Sequence, residues 1–172
     1  MIIPLPIWLN SDLYEGQRMT ENEAMALAIE LSQRNVVEKT GGPFGAVILQ
    51  DGIVVSVGVN LVVLLKSSLY HAEVVAIMRA QFNKDVFRLT SGSLITSAQP
   101  CCMCYGTLFW SGIDELVIGA RKEDVEKYTE FEEGPLPDKW ELELTSRQIK
   151  VKKDVLRQQA VQSLIDYEDL HY

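Results

Sequence analysis

The chain has 172 residues, a usual length for one globular domain, so we expect a single domain over 1–172. Its 47% hydrophobic and 23% charged residues argue against a disordered or fibrous protein. The formal net charge of −8 should repel polyanions, because nucleic-acid binding needs clustered lysine and arginine. The composition therefore favours a small molecule as the binding partner.

The N-terminal segment has no features of a secretory or membrane signal. Residues 1–9 are apolar, but they contain Pro4 and Pro6, lack a basic start and are too short for a membrane span. We therefore expect a cytoplasmic protein without membrane contact. All three cysteines fall within 101–104, so they cannot form the disulfide framework of a secreted protein, and a local chemical role is expected.

The predicted secondary structure alternates between strands and helices. Thr20 and Glu23 form a capping-box pattern, and Gln50, Asp51 and Gly52 are turn residues between two β-rich runs, which predicts a hairpin. In chain order we predict a helix over 24–33, strands over 44–49 and 53–59, a helix over 71–82, a strand over 94–97, a helix over 101–110, strands over 116–120 and 148–151, and a closing helix over 155–167. This order indicates an α/β layered domain.

Three further segments lie outside these elements or at their ends. We interpret 1–19 as an N-terminal extension and 152–172 as a C-terminal helix and tail. The charged, proline-containing residues 123–139 are predicted to form a long functional loop.

Four residues form the pattern that points most directly to chemistry. His71 and Glu73 open one predicted helix, and Cys101 and Cys104 open another directly after Pro100. The two cysteines are three residues apart, so both sulfurs lie on one side of a helix and can bind one Zn²⁺ together with His71. The unpaired N–H groups at a helix start favour the thiolate forms. A CxxC pair alone is more often a redox pair or half of a structural zinc site. The combination with His-x-Glu favours catalytic zinc.

The ligand count predicts an open coordination position. Tetrahedral zinc needs four ligands, the only other histidine is His171 near the chain end, and Cys102 should point elsewhere. We therefore expect water at the fourth position, with its pKa lowered to about 7. Glu73 lies two residues after His71, where its carboxylate can move protons without binding the ion. The pattern resembles the H-x-E…P-C-x-x-C signature of zinc-dependent nucleobase deaminases in the cytidine-deaminase superfamily.

The chain also resembles the bacterial guanine deaminases over about residues 20–168. The matching residues are Gly41 to Val47, Asn60, His71 to Glu73, Pro100 to Cys104, Gly106, Trp110 to Gly112 and Phe131 to Pro135. The resemblance implies a three-layer α/β/α cytidine-deaminase-like fold with a central mixed sheet of about five strands. It also implies one zinc ion per chain, a purine base as substrate and a homodimer.

The same resemblance implies roles for individual side chains. Asn60 would hydrogen-bond the purine, Phe44 and Phe131 would pack on its faces, Trp110 would line the pocket, and Ala72 would also contact the substrate. Glu133 would be a second proton-shuttling carboxylate. Without the resemblance, Phe44 and Trp110 are core residues by default, Asn60 could be a turn residue and Glu133 could belong to a solvated acidic loop.

Three departures from the family pattern concern the substrate. Gln99 stands before Pro100 where relatives usually have glutamate, Tyr70 replaces a small residue, and the loop 61–69 is unusually apolar. These changes leave the metal chemistry intact but leave open another aminated ring, such as a triazine or a pterin.

Our working hypothesis is hydrolysis of guanine to xanthine and ammonia. One alternative is a tRNA adenosine deaminase, which would need a basic surface that this acidic chain lacks. Another is a zinc-binding deaminase-fold scaffold without activity, although a scaffold would have no use for Glu73. Tyr167 and Tyr172 are candidates for a lid over the neighbouring site of a dimer, and a frayed helix end is the alternative.

Overall fold

The computed structural model describes the backbone of residues 3–171 and the side chains of residues 3–168. A single 3₁₀ turn, Ser11–Leu13, precedes the main elements. In chain order these are α1 (Glu21–Val37), β1 (Gly45–Gln50), β2 (Ile53–Val59), α2 (Val62–Leu65), α3 (Ala72–Lys84), β3 (Gly92–Ala98), α4 (Cys102–Ser111), β4 (Glu115–Ala120), α5 (Lys122–Tyr128), α6 (Trp140–Thr145), β5 (Lys150–Lys152) and α7 (Arg157–His171).

The capping box and the hairpin are confirmed. The Thr20 side chain accepts a hydrogen bond from the Glu23 amide, and the Glu23 carboxylate accepts one from the Thr20 amide, so α1 starts directly after Thr20. β1 and β2 pair in antiparallel register across Asp51 and Gly52. Both turn residues have positive φ, 53° and 73°, as a type I′ turn requires.

The five strands form one mixed sheet in the order β2-β1-β3-β4-β5. β1 is antiparallel to β2 and β3, whereas β3, β4 and β5 run parallel. The C-terminal ends of β3 and β4 therefore lie side by side at one end of the sheet, where Ala98 pairs with Ala120. Ligand sites in open α/β sheets form at this end of the strands.

Helices cover both faces of the sheet, which confirms the three-layer architecture. Along β1, Val47 and Leu49 face a core with α1 and α7, whereas Ala46 and Ile48 face a core with α3 and α4. This alternation follows the two-residue period of a strand, so each face of the sheet buries its own apolar set.

One edge strand of the sheet is short, and the start of the other is covered. β5 has only three residues, with exposed Lys150 and Lys152 at its ends. The N-terminal segment pairs with the start of β2, because the Gly16 amide donates to the Val54 carbonyl and the Val54 amide donates to the Gln17 carbonyl. The same segment is held to α3 by the buried Arg79, whose guanidinium donates to the Ile3 carbonyl and the Ser11 hydroxyl.

Several predicted boundaries were wrong. The apolar loop 61–69 contains the short helix α2, and the predicted loop 123–139 begins inside α5. α5 forms because Asp124 accepts a hydrogen bond from the Arg121 amide at the helix start and two from Arg157 of α7. α6 was not predicted, and α7 begins two residues later than expected and continues to residue 171. Tyr172 lies outside the described residues.

Among the described residues, no helix combines the length and the apolar composition that crossing a membrane requires.

Candidate active site

The candidate site lies where two helices begin beside the C-terminal ends of the parallel strands. His71 is the residue before α3, and Cys101 is the residue before α4. Both have extended backbones, with φ and ψ of −68° and 157° for His71 and −66° and 175° for Cys101. Both are therefore N-cap residues, and each helix begins one residue later than the sequence predicted. The two helix starts converge on one point, as expected.

The ligand atoms of His71, Cys101 and Cys104 lie within 4.8 Å of one another. The Nδ1 atom of His71 is 3.4 Å from the Cys101 sulfur and 3.6 Å from the Cys104 sulfur. Tetrahedral zinc bonds sulfur at about 2.3 Å and nitrogen at about 2.0 Å, which places a nitrogen and a sulfur ligand about 3.5 Å apart. Both distances from His71 to a sulfur therefore fit a shared zinc ion, and Nδ1 is the nitrogen that faces the site.

The pKa values of the two thiols shift in opposite directions. The hydrogen bond from the Cys104 thiol is the largest reason that the pKa of Cys101 falls to about 4, and the hydrogen bond with His71 adds to it. The pKa of Cys104 rises because its thiol donates that hydrogen bond and is buried. The hydrogen bond with Cys101 raises the pKa of His71 although partial burial opposes it. The lowered pKa favours the thiolate form of Cys101, which is the form in which sulfur binds zinc.

Glu73 lies in the first turn of α3 and is 6% exposed. Burial is the main reason that the pKa of its carboxyl rises to about 7, and the nearby Cys101 thiolate adds to the rise. Its side chain lines the same cavity as His71 and Cys101. This carboxyl is therefore placed to take up and release a proton beside the three ligand residues.

Glu133 is the second carboxyl at the site. It lies in the irregular segment after α5 and is 8% exposed. Burial, followed by the charges of Glu73 and Cys101, raises the pKa of Glu133 to about 8. Its carbonyl oxygen accepts a hydrogen bond from the amide of Cys102, 3.0 Å away, which ties this segment to the start of α4.

A cavity of about 760 Å³ opens from these residues. Two aromatic rings lie on its wall, Phe44 and Phe131, with centroids 5.5 Å apart. The ring of Tyr167 stacks on Phe131 at 5.7 Å and also lines the cavity. Tyr167 thus reaches the cavity of its own chain, whereas the expectation from the sequence was a lid over the neighbouring site of a dimer.

Asn60 lines the cavity and is 8% exposed, and its hydrogen bond to a purine stays a prediction. Its side-chain oxygen accepts a hydrogen bond from the Val62 amide at 3.3 Å, and its carbonyl accepts one from the Asn35 amide group at 2.9 Å. These contacts fix its position at the end of β2. Ala72 does not line the cavity; its methyl group is fully buried in the core between the sheet and α3.

The structure does not bring Trp110 to the cavity, contrary to the expectation from the family resemblance. Its side chain is 83% exposed near the end of α4. The buried face of α4 consists of Cys104, Tyr105, Leu108 and Ser111, and Trp110 falls outside the three- and four-residue spacing of that face. Cys102 is exposed as well and stays outside the ligand group, as predicted.

Gln99 is a cavity residue to which the sequence analysis gave no role. It is 6% exposed, and its side-chain oxygen accepts a hydrogen bond from the Lys122 amide at 3.2 Å. Two features of the sequence could have indicated a cavity position for Gln99: it directly precedes Pro100 and Cys101, and it stands where relatives usually have glutamate.

Comparisons with known proteins agree with this geometry. Residues 18–120 match the family described as the cytidine and deoxycytidylate deaminase zinc-binding region. The guanine deaminase from Nitrosomonas europaea has a similar structure, with a TM-score of 0.91 and 34% identity, covering 98% of this chain and 96% of that chain. The structure of NE0047 in complex with 2,6-diaminopurine is similar at a TM-score of 0.91 and 35% identity, covering 97% and 92%.

A sequence relative points to a different substrate. The tRNA-specific adenosine deaminase of Buchnera aphidicola subsp. Schizaphis graminum is 30% identical over 142 residues, which is 82% of this chain and 90% of that protein.

Proposed function

Because the chain belongs to the cytidine and deoxycytidylate deaminase zinc-binding family and is a zinc-dependent nucleobase deaminase, we propose that it hydrolyses guanine to xanthine and ammonia. One observation carries the proposal. His71 and Cys101 of the ligand group, two buried carboxyls, Asn60 and the rings of Phe44, Phe131 and Tyr167 line one cavity, and Cys104 lies buried within 4.8 Å of the other two ligand atoms.

We assign zinc to His71, Cys101 and Cys104. Three protein ligands leave one position for a small ligand, and the bound ion would activate a water molecule for attack at neutral pH. The rest of the chemistry concerns the protons that accompany this attack.

Glu73 is the proton carrier of the first half of the reaction. The attacking water forms a bond to the ring carbon that bears the amine, and one of its protons goes to a Glu73 carboxylate oxygen. Glu73 then delivers that proton to the adjacent ring nitrogen. Its burial beside the ligand residues keeps the carboxylate next to the reacting atoms and away from bulk solvent.

Glu133 assists the second half. When the carbon–nitrogen bond breaks, the amine needs one more proton to leave as ammonia, and a second carboxyl in the cavity can supply it. The proton of the hydroxyl group bonded to the ring carbon then moves to the Glu133 carboxylate as the carbonyl of xanthine forms, which restores the Glu133 carboxyl. Water and guanine thus give xanthine and ammonia with all atoms accounted for.

The cavity also supports a flat, polar ring as the substrate. Phe44 and Phe131 offer apolar faces for stacking, and the Asn60 amide offers a donor and an acceptor for the ring edge. The similar structures are a guanine deaminase and a complex with the purine 2,6-diaminopurine.

Ammonia release from a panel of amino-heterocycles tests the substrate. We expect kcat/KM for guanine to exceed that for adenine, cytosine and cytidine by at least about tenfold, which corresponds to about 1.4 kcal/mol. Equal or faster turnover of another base, a triazine or a pterin would overturn the guanine assignment. Release of ammonia from none of them, with a zinc-loaded wild type, would favour an inactive scaffold.

A tRNA adenosine deaminase is the second candidate, favoured by the relative from Buchnera aphidicola. The net charge of −8 opposes it, because RNA binding depends on neutralising phosphates. Salt-sensitive binding of tRNA at low micromolar protein, with inosine formed in the RNA, would establish this activity instead.

We further propose that the enzyme is cytoplasmic and acts in purine metabolism. We also propose a homodimer, since Trp110 and Phe87 are more than four-fifths exposed and exposed apolar side chains are typical of interfaces. Light scattering on purified protein tests the dimer. A monomer at micromolar concentration would contradict it.

A further inference from the structure

We propose that Lys122 is a positioning residue that holds the Glu133 carboxyl at the site. The proposal rests on the proposed role of Glu133. Lys122 is the first residue of α5, more than ten positions before the segment that it would hold.

The segment around Glu133 needs fixing because it has no helix or strand of its own. It lies between α5 and α6, and its peptide groups are not part of any regular hydrogen-bonding pattern. Gly134, the next residue, has a φ of +69°, so the chain turns sharply directly after Glu133. A carboxyl on such a segment keeps one orientation only if neighbouring peptide groups are tied to other elements.

Two hydrogen bonds tie consecutive carbonyl groups of this segment. The Glu133 carbonyl accepts from the Cys102 amide at 3.0 Å, and the Gly134 carbonyl accepts from the Lys122 ammonium group at 3.0 Å. The donors come from α4 and α5, so the Glu133 backbone is held from two sides. A charged donor makes the second bond the stronger type.

Lys122 is itself hydrogen-bonded to the segment that joins β3 to the ligand residue Cys101. Its amide donates to the Gln99 side chain at 3.2 Å, and Gln99 lies two residues before Cys101. Its ammonium also pairs with Glu126 at 3.4 Å, a partly exposed contact that adds little to the hydrogen bond with Gly134. Lys122 therefore links the Glu133 segment, through Gly134, to the residues after β3 that lead to Cys101.

The contact acts through the backbone and not through charge on the reacting carboxyl. Among the described residues, the carboxylate that pairs with Lys122 is that of Glu126. Loss of Lys122 should therefore leave zinc binding and guanine binding intact while Glu133 loses its orientation. Misplacement of a catalytic group by about 1 Å can reduce the rate by about 100-fold.

The test uses the zinc-loaded full-length protein with Lys122→Met. We expect kcat for guanine to fall by about tenfold or more while KM stays within about twofold and the zinc content is unchanged. Lys122→Arg, which keeps a charged donor, should recover most of the loss. Should Lys122→Met unfold below the assay temperature, Lys122→Ala takes its place.

Two control variants separate the Gly134 contact from other effects. Lys127→Met removes another lysine of α5, whose ammonium contacts the Tyr128 ring and not Gly134. Glu126→Gln removes the ion pair with Lys122 but keeps the hydrogen bond from Lys122 to Gly134. Both should keep kcat within about twofold of the wild type. A loss in Glu126→Gln equal to that in Lys122→Met, or unchanged kcat in Lys122→Met, would overturn the proposal.

Amide hydrogen exchange gives a readout that does not depend on the substrate. Peptides within 129–137 should exchange faster in Lys122→Met than in the wild type and in Lys127→Met. If the wild type does not deaminate guanine, the proposed function fails, and the exchange rates alone then decide whether Lys122 holds the segment. Wild-type exchange in Lys122→Met would contradict the inference in either case.

Discussion

The two sides of the cavity are built in different ways. The metal side comes from His71, Cys101 and Cys104, which lie at the starts of two helices that pack on the sheet. Another part of the wall comes from Phe131 and Glu133, which lie on a segment without regular structure. The difference teaches that the ion needs fixed ligands, whereas the substrate side is held by a few separate contacts that can be altered one at a time.

The two parts of the cavity wall also differ in the interactions that hold them in place. A ligand residue at a helix start is held by the core of the domain, so moving it requires disruption of the packing around α3 or α4. The proposed role of Lys122 implies that the Glu133 segment shifts when a single hydrogen bond, that from Lys122 to Gly134, is lost. Variants on the metal side should therefore affect zinc and activity together, and variants on the other side should affect activity alone.

The largest effect is expected from the metal ligands. Cys101→Ser should reduce zinc from about one ion per chain to a small fraction of that and abolish ammonia release, because a ligand is lost. Cys102→Ser is the matched control, since its sulfur is exposed and outside the ligand group, and it should retain zinc. Metal analysis by mass spectrometry checks both. Full zinc content in Cys101→Ser would disprove the ligand assignment.

The next effect concerns the carboxyls. Glu73→Gln should reduce kcat by about 10² to 10⁴ with zinc retained, because proton transfer is lost while the shape of the site is kept. Glu133→Gln should cost less, about tenfold to 100-fold, since it serves only the later steps. Steady-state kinetics with zinc analysis measures both. A larger loss for Glu133→Gln than for Glu73→Gln would reverse the proposed roles.

A smaller effect is expected from Gly134→Ala. A methyl group there would lie 2.6 Å from the Cys102 sulfur, and the φ of +69° disfavours alanine, so the segment must move. We expect a loss of about 1–2 kcal/mol in the free energy of unfolding, together with reduced kcat. Gly16→Ala separates the two causes, because Gly16 also has positive φ but nothing within 4 Å. Urea unfolding and kinetics should show a loss of stability without a loss of kcat in that control.

The smallest effect concerns the support of α5. Burial would raise the pKa of Asp124, but hydrogen bonds from Arg157 and from the Arg121 amide outweigh it and hold that pKa below its usual value. A lowered pKa in the folded state contributes stability above the ordinary pKa of aspartate, near 4, and this contribution is lost as the pH falls through the folded value. Asp124→Asn should therefore cost about 1–2 kcal/mol at pH 7.

A pH series of urea unfolding checks this last prediction. The difference between the wild type and Asp124→Asn should shrink as the pH falls below about 4. Glu123→Gln, which removes a more exposed carboxylate of the same helix, should change the unfolding free energy by less than about 0.5 kcal/mol. A difference that is constant down to pH 3 would exclude the ion pair with Arg157 as the cause.

The sequence predicted the metal side well because its information is local. The spacing of Cys101 and Cys104 and the start of each helix depend on neighbouring residues, as do the capping box at Thr20 and the turn at Asp51. The family resemblance supplied the three-layer architecture, which alternation alone left at the level of an α/β domain. Strand order and the mixed directions then follow from which edges pair, which no local pattern shows.

The other side could not be predicted because its contacts join distant parts of the chain. The helical start of 123–139 depends on Arg157 of α7, and the position of Tyr167 depends on how α7 packs across the sheet. Trp110 was assigned by family likeness, whereas its exposure follows from the face that α4 buries. The contact of Lys122 with Gly134 has no sequence signal at all.

The covered edges of the sheet have a consequence for behaviour at high concentration. β5 offers only three residues flanked by charged lysines, and the N-terminal segment occupies the start of β2. Unpaired strand edges are the usual templates for aggregation through added strands. With one edge short and the start of the other covered, we expect self-association of the folded chain to proceed through exposed apolar side chains such as Trp110 rather than by added strands.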